Sequence, residues 1–201
     1  MSLKINNFYT DIKYLFELKK KHTPFFPRKI DDKLIRGRSV SSPIHLYSLK
    51  KQGVTQIIDL RNKSTELSEI LPQYIERFLC KIFNIHYINF RYNHKIDGLP
   101  NTNFFQQINE KITNNNGRTY IHCRHGKRRT GVCVAIYEKL YTNKSKKEIL
   151  NELYYMGFSE LYTKENHLPQ RVFNRLTKIY NNFITAFYPE EPKLSYKMAR
   201  K

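Results

Sequence analysis

The chain has 201 residues and a mass of 24.2 kDa, with 40% hydrophobic and 14% aromatic residues, which predicts one folded domain and excludes a disordered chain. No apolar run approaches the roughly 18 residues of a membrane span, and polar N-terminal residues argue against a signal peptide, so we expect a cytoplasmic protein. The 36 basic and 17 acidic residues give a net charge of +19, which predicts attraction to polyanions unless the Lys- and Asn-rich composition reflects AT-biased codons.

The first half of the chain predicts helices and strands in alternation. An amphipathic helix over 10–21 belongs to an N-terminal helical extension that we assign to 1–27. The segment 28–38 indicates a short strand pair or turn around Asp31 and Asp32. The pattern then predicts a helix over 43–52, a strand over 54–60, a helix over 66–80 with Pro72 near its first turn, and a strand over 82–90.

The second half continues in the same way and completes an α/β layer. A helix over 101–115, a strand over 119–123, a helix from residue 130 and helices over 145–156 and 168–186 follow in order. We expect a catalytic domain over 28–187 and a basic, flexible tail over 188–201. The predicted fold is therefore α/β, with a central, mostly parallel sheet of four or five strands flanked by helices.

The segment HCRHGKRRTG (122–131) carries the chemistry, because it joins a predicted strand to a predicted helix. A loop of five residues between Cys123 and Arg129 can turn its backbone N–H groups inward and bind an anion, for which phosphate is the natural ligand. Arg129 and the positive end of the helix favour a thiolate at Cys123, and the Arg129 guanidinium can hold two phosphate oxygens. Gly126 lets the loop curve without a Cβ facing the ligand. The pattern predicts a phosphate-binding loop with a nucleophilic thiol.

The pattern of His-Cys, five residues and Arg-Thr-Gly resembles the signature of the cysteine-dependent protein tyrosine phosphatase superfamily. The segment 29–62 is similar to the amino-terminal half of the compact dual-specificity subgroup, and the resemblance covers about 29–185. It implies hydrolysis through a phosphocysteine intermediate, with no cofactor.

The resemblance also implies roles for four residues of the motif. Cys123 would be the nucleophile, Arg129 the phosphate-binding arginine, and Thr130 the hydroxyl that supports the departing thiolate. His122 would order the loop from behind.

The family also uses an acid, an Asp on a loop upstream of the nucleophile, to protonate the leaving oxygen. Asp97 lies 26 residues before Cys123, and the only other acidic residue between Arg91 and Cys123 is Glu110, inside a predicted helix. We therefore expect Asp97 to be the acid, although Asp-Gly is also an ordinary turn sequence. Asp59, at the end of a strand, is expected to be structural.

The substrate is expected to meet the five variable loop positions, Arg124, His125, Gly126, Lys127 and Arg128. Their charge favours a polyanion, and Cys-x-x-Gly-Lys-x-Arg resembles the loop of plant and fungal atypical dual-specificity phosphatases, which act on inositol pyrophosphates and other highly phosphorylated inositols. The His-Cys-x-His-Gly portion resembles the RNA 5′-triphosphatase branch, whose Asn is replaced here by Arg128. An inositol polyphosphate, a phosphoprotein and an RNA 5′ end all stay open as substrates.

A zinc site and a non-catalytic binding module are the two alternatives to a phosphatase site. Cys80 and Cys133 are expected to be core thiols, and no cysteine pair has zinc-site spacing, so we expect no metal. Three cysteines also favour a reducing compartment. The other alternative is a basic, non-catalytic module that binds phosphate or nucleic acid, which would leave a reactive thiol without a use. We expect a monomer.

Overall fold

A computed structural model describes residues 27–40, 42–62, 67–91 and 101–156 of the protein. Asp97, the basic tail, the predicted helix over 168–186 and all but the last residue of the N-terminal extension lie outside these residues. The elements are β1 (Arg28–Lys29), β2 (Leu34–Arg38), α1 (Pro43–Lys51), β3 (Val54–Asp59), α2 (Leu67–Ile82), β4 (His86–Asn89), α3 (Thr102–Thr113), β5 (Arg118–Cys123), α4 (Arg128–Tyr141) and α5 (Lys146–Tyr155). Among the described helices, none is both long and apolar enough to cross a membrane.

The described strands form one sheet in the order β1-β2-β5-β3-β4. β1 pairs antiparallel with β2, and every other pairing in this sheet is parallel, which confirms the predicted α/β fold with a mostly parallel sheet. The register places Arg38 beside Cys123 and Asp59 beside His122. The carboxyl ends of β2, β5 and β3 therefore meet at one edge of the sheet, where ligands bind in open α/β sheets.

Helices cover both faces of this sheet, and β5 and most of β3 are buried as a result. One core cluster lies on the side of α3, α4 and α5, and the other on the side of α1 and α2. Local sequence sets the helix starts: Ser42 caps α1 by accepting the His45 N–H, and Asn101 caps α3 by accepting the Phe104 N–H.

The boundaries differ from prediction mainly around α2. That helix continues through Pro72 as far as Ile82, so the strand predicted over 82–90 begins only at His86. Asn84, with a φ of 50°, turns the chain between the two elements. The predicted strand pair at 28–38 is confirmed as β1 and β2.

Candidate active site

The loop between β5 and α4 occupies the carboxyl edge of the sheet and brings the motif residues together. Cys123 ends β5, the loop crosses residues 124–127, and Arg129 and Thr130 lie in the first turn of α4. The helix thus opens two residues earlier than its periodicity predicted. Its first turn contains no acidic residue, so nothing there offsets the positive end of the helix.

Cys123 is only 4% exposed, yet its thiol is more acidic than an ordinary cysteine. Burial by itself raises the pKa of Cys123. The Arg129 charge, the Thr130 hydroxyl and the backbone N–H groups of Thr130 and Gly126 lower the pKa by more than burial raises it, so the net shift is downward. The buried Thr130 hydroxyl has no other hydrogen-bond partner among the described residues. The surroundings therefore favour a thiolate at Cys123.

Strand β2 is the platform on which the loop rests. Gly126 has a φ of 71°, and a Cβ there would lie 2.3 Å from the carbonyl oxygen of Gly37, so only glycine fits. The backbone N–H and the hydroxyl of Ser39 both donate to the carbonyl of Arg124, at 3.3 and 3.2 Å. These contacts fix the loop against the end of β2. On the side of β3, Arg129 donates to the carbonyl of Leu60 at 2.9 Å.

His122 is the penultimate residue of β5 and directly precedes Cys123. It is fully buried, and its Nδ1 lies 3.2 Å from the Cys123 carbonyl while its Nε2 lies 3.0 Å from Oε1 of Glu76. Burial lowers the pKa of His122, but the charges of Glu76 and Asp59 outweigh burial and raise it. The two carboxylates therefore favour the charged form of the imidazole ring.

Asp59 is structural, as expected, and belongs to a buried ion network. Arg61 pairs with Asp59 at 2.8 Å and also with Glu76, and Tyr87 donates to Asp59 at 2.5 Å. Burial opposes ionisation of Asp59, but His122, Arg61 and Tyr87 lower its pKa overall. One ligand atom from each of Asp59, Glu76 and His122 lies within 4.8 Å of the others, as in metal sites, but Arg61 already forms an ion pair with both carboxylates, and His122 lies against Glu76.

Sequence reasoning missed Glu76 and Arg61. One available signal was that Glu76 lies one helical turn before Cys80, a residue expected in the core, so both share a buried face, where a charge needs a partner. Nothing in the sequence names that partner, because His122 comes from a distant strand.

Cations surround the mouth of the loop. His125 has a lowered pKa, first because its ring is partly desolvated against the loop and then because of four positive neighbours: Arg124, Arg38, Lys127 and Arg128. Arg124 and His125 are exposed, whereas Lys127 and Arg128 are half-buried. Sequence reasoning missed Arg38, whose place beside Cys123 follows from the register of β2 on β5. The mouth is built to attract anions.

The two other cysteines are core thiols. Cys80 and Cys133 are buried, and burial raises the pKa of Cys80 to about 12 and also raises that of Cys133. Glu110, the competitor of Asp97, is exposed on α3 and accepts a hydrogen bond from Gln106. Asp97 itself lies outside the described residues, so its expected role stays a prediction.

A mostly parallel sheet whose central strand ends in this loop is the architecture of the protein tyrosine phosphatase superfamily and its compact dual-specificity members. The profile described as "tyrosine phosphatase family" matches residues 31–156, and the chain belongs to that family.

Solved structures agree on the fold. The core catalytic domain of PP-IP phosphatase SIW14 from S. cerevisiae is 15% identical, with a TM-score of 0.54, over 85% of this chain and 99% of that one. TpbA from P. aeruginosa is 14% identical, with a TM-score of 0.51, over 82% of this chain and 97% of that one. At such identities the likeness concerns the fold alone. No curated protein sequence matches the chain.

Proposed function

We propose that the protein is a cysteine-dependent phosphatase that hydrolyses phosphate monoesters through a phosphocysteine intermediate at Cys123. The observation that carries this proposal is the placement of Cys123 at the end of β5 with Arg129 and Thr130 in the first turn of the next helix, where they lower the pKa of the thiol and favour the thiolate, the nucleophilic form of cysteine. A binding module has no use for an activated thiol.

The proposed reaction has two displacements at phosphorus. In the first, the Cys123 sulfur forms an S–P bond, the ester O–P bond breaks, and Asp97 protonates the departing oxygen. In the second, water attacks phosphorus with Asp97 as its base, the S–P bond breaks, and inorganic phosphate leaves. Arg129 and the loop N–H groups hold the phosphoryl oxygens in both steps, and the Thr130 hydroxyl stabilises the departing thiolate.

The direct test replaces the nucleophile while keeping the loop. Cys123→Ser should abolish turnover of a phosphate monoester but retain binding of inorganic phosphate, because a serine hydroxyl at its own pKa is a poor nucleophile while Arg129 and the N–H groups remain. Cys133→Ala is the matched control, since it removes a buried thiol of raised pKa that lies outside the loop. Near-normal turnover by Cys123→Ser would refute the mechanism.

The cations at the mouth support a polyanionic substrate, with an inositol polyphosphate or pyrophosphate as the favoured class. The cations at Arg38, Arg124, Lys127 and Arg128 exceed what one phosphate monoester needs beside Arg129. SIW14, of similar fold, is a PP-IP phosphatase, while TpbA, also of similar fold, has been solved in complex with pTyr. A phosphotyrosine protein therefore stays the alternative substrate.

The substrate class is tested by the double variant Lys127→Ala, Arg128→Ala. We expect a steep rise in KM for inositol hexakisphosphate or an inositol pyrophosphate and little change for a small aryl phosphate. The same panel includes a phosphotyrosine peptide and 5′-triphosphorylated RNA. Equal losses for all substrates, with a shallow salt dependence, would show that the basic loop is only a solvated surface. Preference for the RNA would assign the triphosphatase branch instead.

A further inference from the structure

A charged side chain lies fully buried beneath the loop. Arg36, in the middle of β2, is 1% exposed, and its Nη2 donates to the carbonyl of Gly126 at 2.8 Å. Its Nε has no hydrogen-bond partner among the residues that the structure describes. Burial lowers the pKa of Arg36 to about 10, so the fold carries a real desolvation cost for this charge. An apolar side chain of the same size would avoid that cost, which points to a use for the guanidinium at the loop.

Donors from other segments hold the backbone carbonyls near the end of β5 and along the loop that follows. The Leu60 N–H donates to the His122 carbonyl at 2.8 Å, and Ser39 holds that of Arg124. The Gly126 carbonyl, in the middle of the loop, is held by the side chain of Arg36.

The direction of each carbonyl fixes the direction of the next N–H. A trans peptide is planar, so its C=O and its N–H point in nearly opposite directions. When Arg36 holds the Gly126 carbonyl toward the sheet, the Lys127 N–H points the other way, toward the side where phosphate would bind. The neighbouring Gly126 N–H is one of the groups that lower the pKa of Cys123, so N–H groups of this loop do reach the side of the thiol.

We propose that Arg36 is a positioning residue of this site: by holding the Gly126 carbonyl, its guanidinium aims the Lys127 N–H at the bound phosphate. The proposal rests on the proposed function, because it concerns the same loop. Arg36 does not touch the reacting atoms and acts only through the peptide that follows Gly126.

Two acidic residues on the helices behind the loop keep Arg36 charged. Glu138 of α4 and Glu152 of α5 both act on its charge, and Lys144 pairs with both of them. Arg28 pairs with Glu152 at 3.3 Å from the other side, but among its described contacts it makes none with the loop. The charge of Arg36 also interacts favourably with a Cys123 thiolate. Removing Arg36 should therefore weaken anion binding and raise the pKa of the thiol together.

The test compares Arg36→Met, Arg36→Lys and the control Arg28→Gln in the full chain. Inorganic phosphate binding is measured by calorimetry, and the pKa of Cys123 by the pH dependence of its alkylation by iodoacetamide, followed by mass spectrometry. We expect Arg36→Met to weaken phosphate binding about tenfold or more, the usual effect of losing a hydrogen bond from a charged group, and to shift the alkylation profile to higher pH. Arg36→Lys should recover part of both effects, and Arg28→Gln should change neither.

Each outcome decides the proposal. If Arg36→Met loses only thermal stability, with phosphate affinity and alkylation profile unchanged, Arg36 is merely structural and the proposal is overturned. If Arg36→Met does not fold, Arg36→Lys decides alone, and wild-type affinity with a wild-type profile overturns the proposal. If the wild-type protein binds phosphate and the variants change affinity and alkylation as expected, but the wild-type protein hydrolyses no monoester, the role of Arg36 is kept and the proposed function is refuted. Absence of phosphate binding by the wild-type protein overturns both.

Discussion

One methyl group added at Gly126 would collide with the backbone of the neighbouring strand β2. A Cβ there would lie 2.3 Å from the carbonyl oxygen of Gly37, 2.5 Å from its carbonyl carbon and 2.9 Å from the backbone nitrogen of Arg38. All three atoms belong to the backbone of the sheet, so none can rotate away as a side chain would. Gly126→Ala must therefore shift either the loop or the end of β2.

The magnitude follows from two separate terms. A non-glycine residue at a φ of 71° costs about 1–2 kcal/mol, and forcing extra volume into packed structure adds about 1–3 kcal/mol. We expect Gly126→Ala to lower the free energy of unfolding by roughly 2–5 kcal/mol, measured by urea titration. Phosphate affinity should fall as well, because the loop N–H groups lose their alignment.

Gly53→Ala is the matched control. Gly53 has a φ of 80°, but the nearest atom to an added Cβ is the Nη1 of Arg118 at 3.9 Å, an ordinary contact distance. The control should lose only the conformational term of about 1–2 kcal/mol and keep phosphate affinity, because Gly53 precedes β3 at the opposite edge of the sheet. Equal losses in the two variants, or unchanged phosphate affinity in Gly126→Ala, would refute the packing argument.

Two further predictions concern protons. The pKa of His122 is raised despite burial, chiefly by Glu76, so the contribution of His122 to stability is complete below about pH 6.5 and is lost as pH rises through the raised pKa. The free energy of unfolding, measured by urea titration from pH 6 to 9, should therefore fall with pH, and Glu76→Gln should flatten this slope. An unchanged slope in the variant would contradict the ion network. Asp97→Asn should cost about 10² or more in kcat/KM for an alkyl phosphate and little for an aryl phosphate with a good leaving group, because acid catalysis matters in proportion to leaving-group basicity. Equal costs would remove Asp97 from the role of acid.

Local sequence was sufficient for the type and order of the described elements, though not for every boundary, and for the spacing of the motif residues. The apolar run at 54–60 and the six-residue spacing of Cys123 and Arg129 encode structure over a few residues, and the structure has a strand at Val54–Asp59 and one loop between the two motif residues. The spacing alone puts a thiol and a guanidinium at the two ends of one loop. For the same reason Gly126 could be named in advance as the position where the loop must curve.

Only the tertiary structure decided what supports that loop. Arg36 and Gly126 are 90 residues apart, and the sequence around Arg36 contains no feature that names a carbonyl in another segment as its partner. The pairing of Glu76 with His122 is equally non-local, and the place of Arg38 at the mouth depends on the register of β2 on β5. Periodicity shows which face of a strand or helix is buried, but the partner of a buried charge is set by the order and register of the strands, which become fixed only when the chain folds.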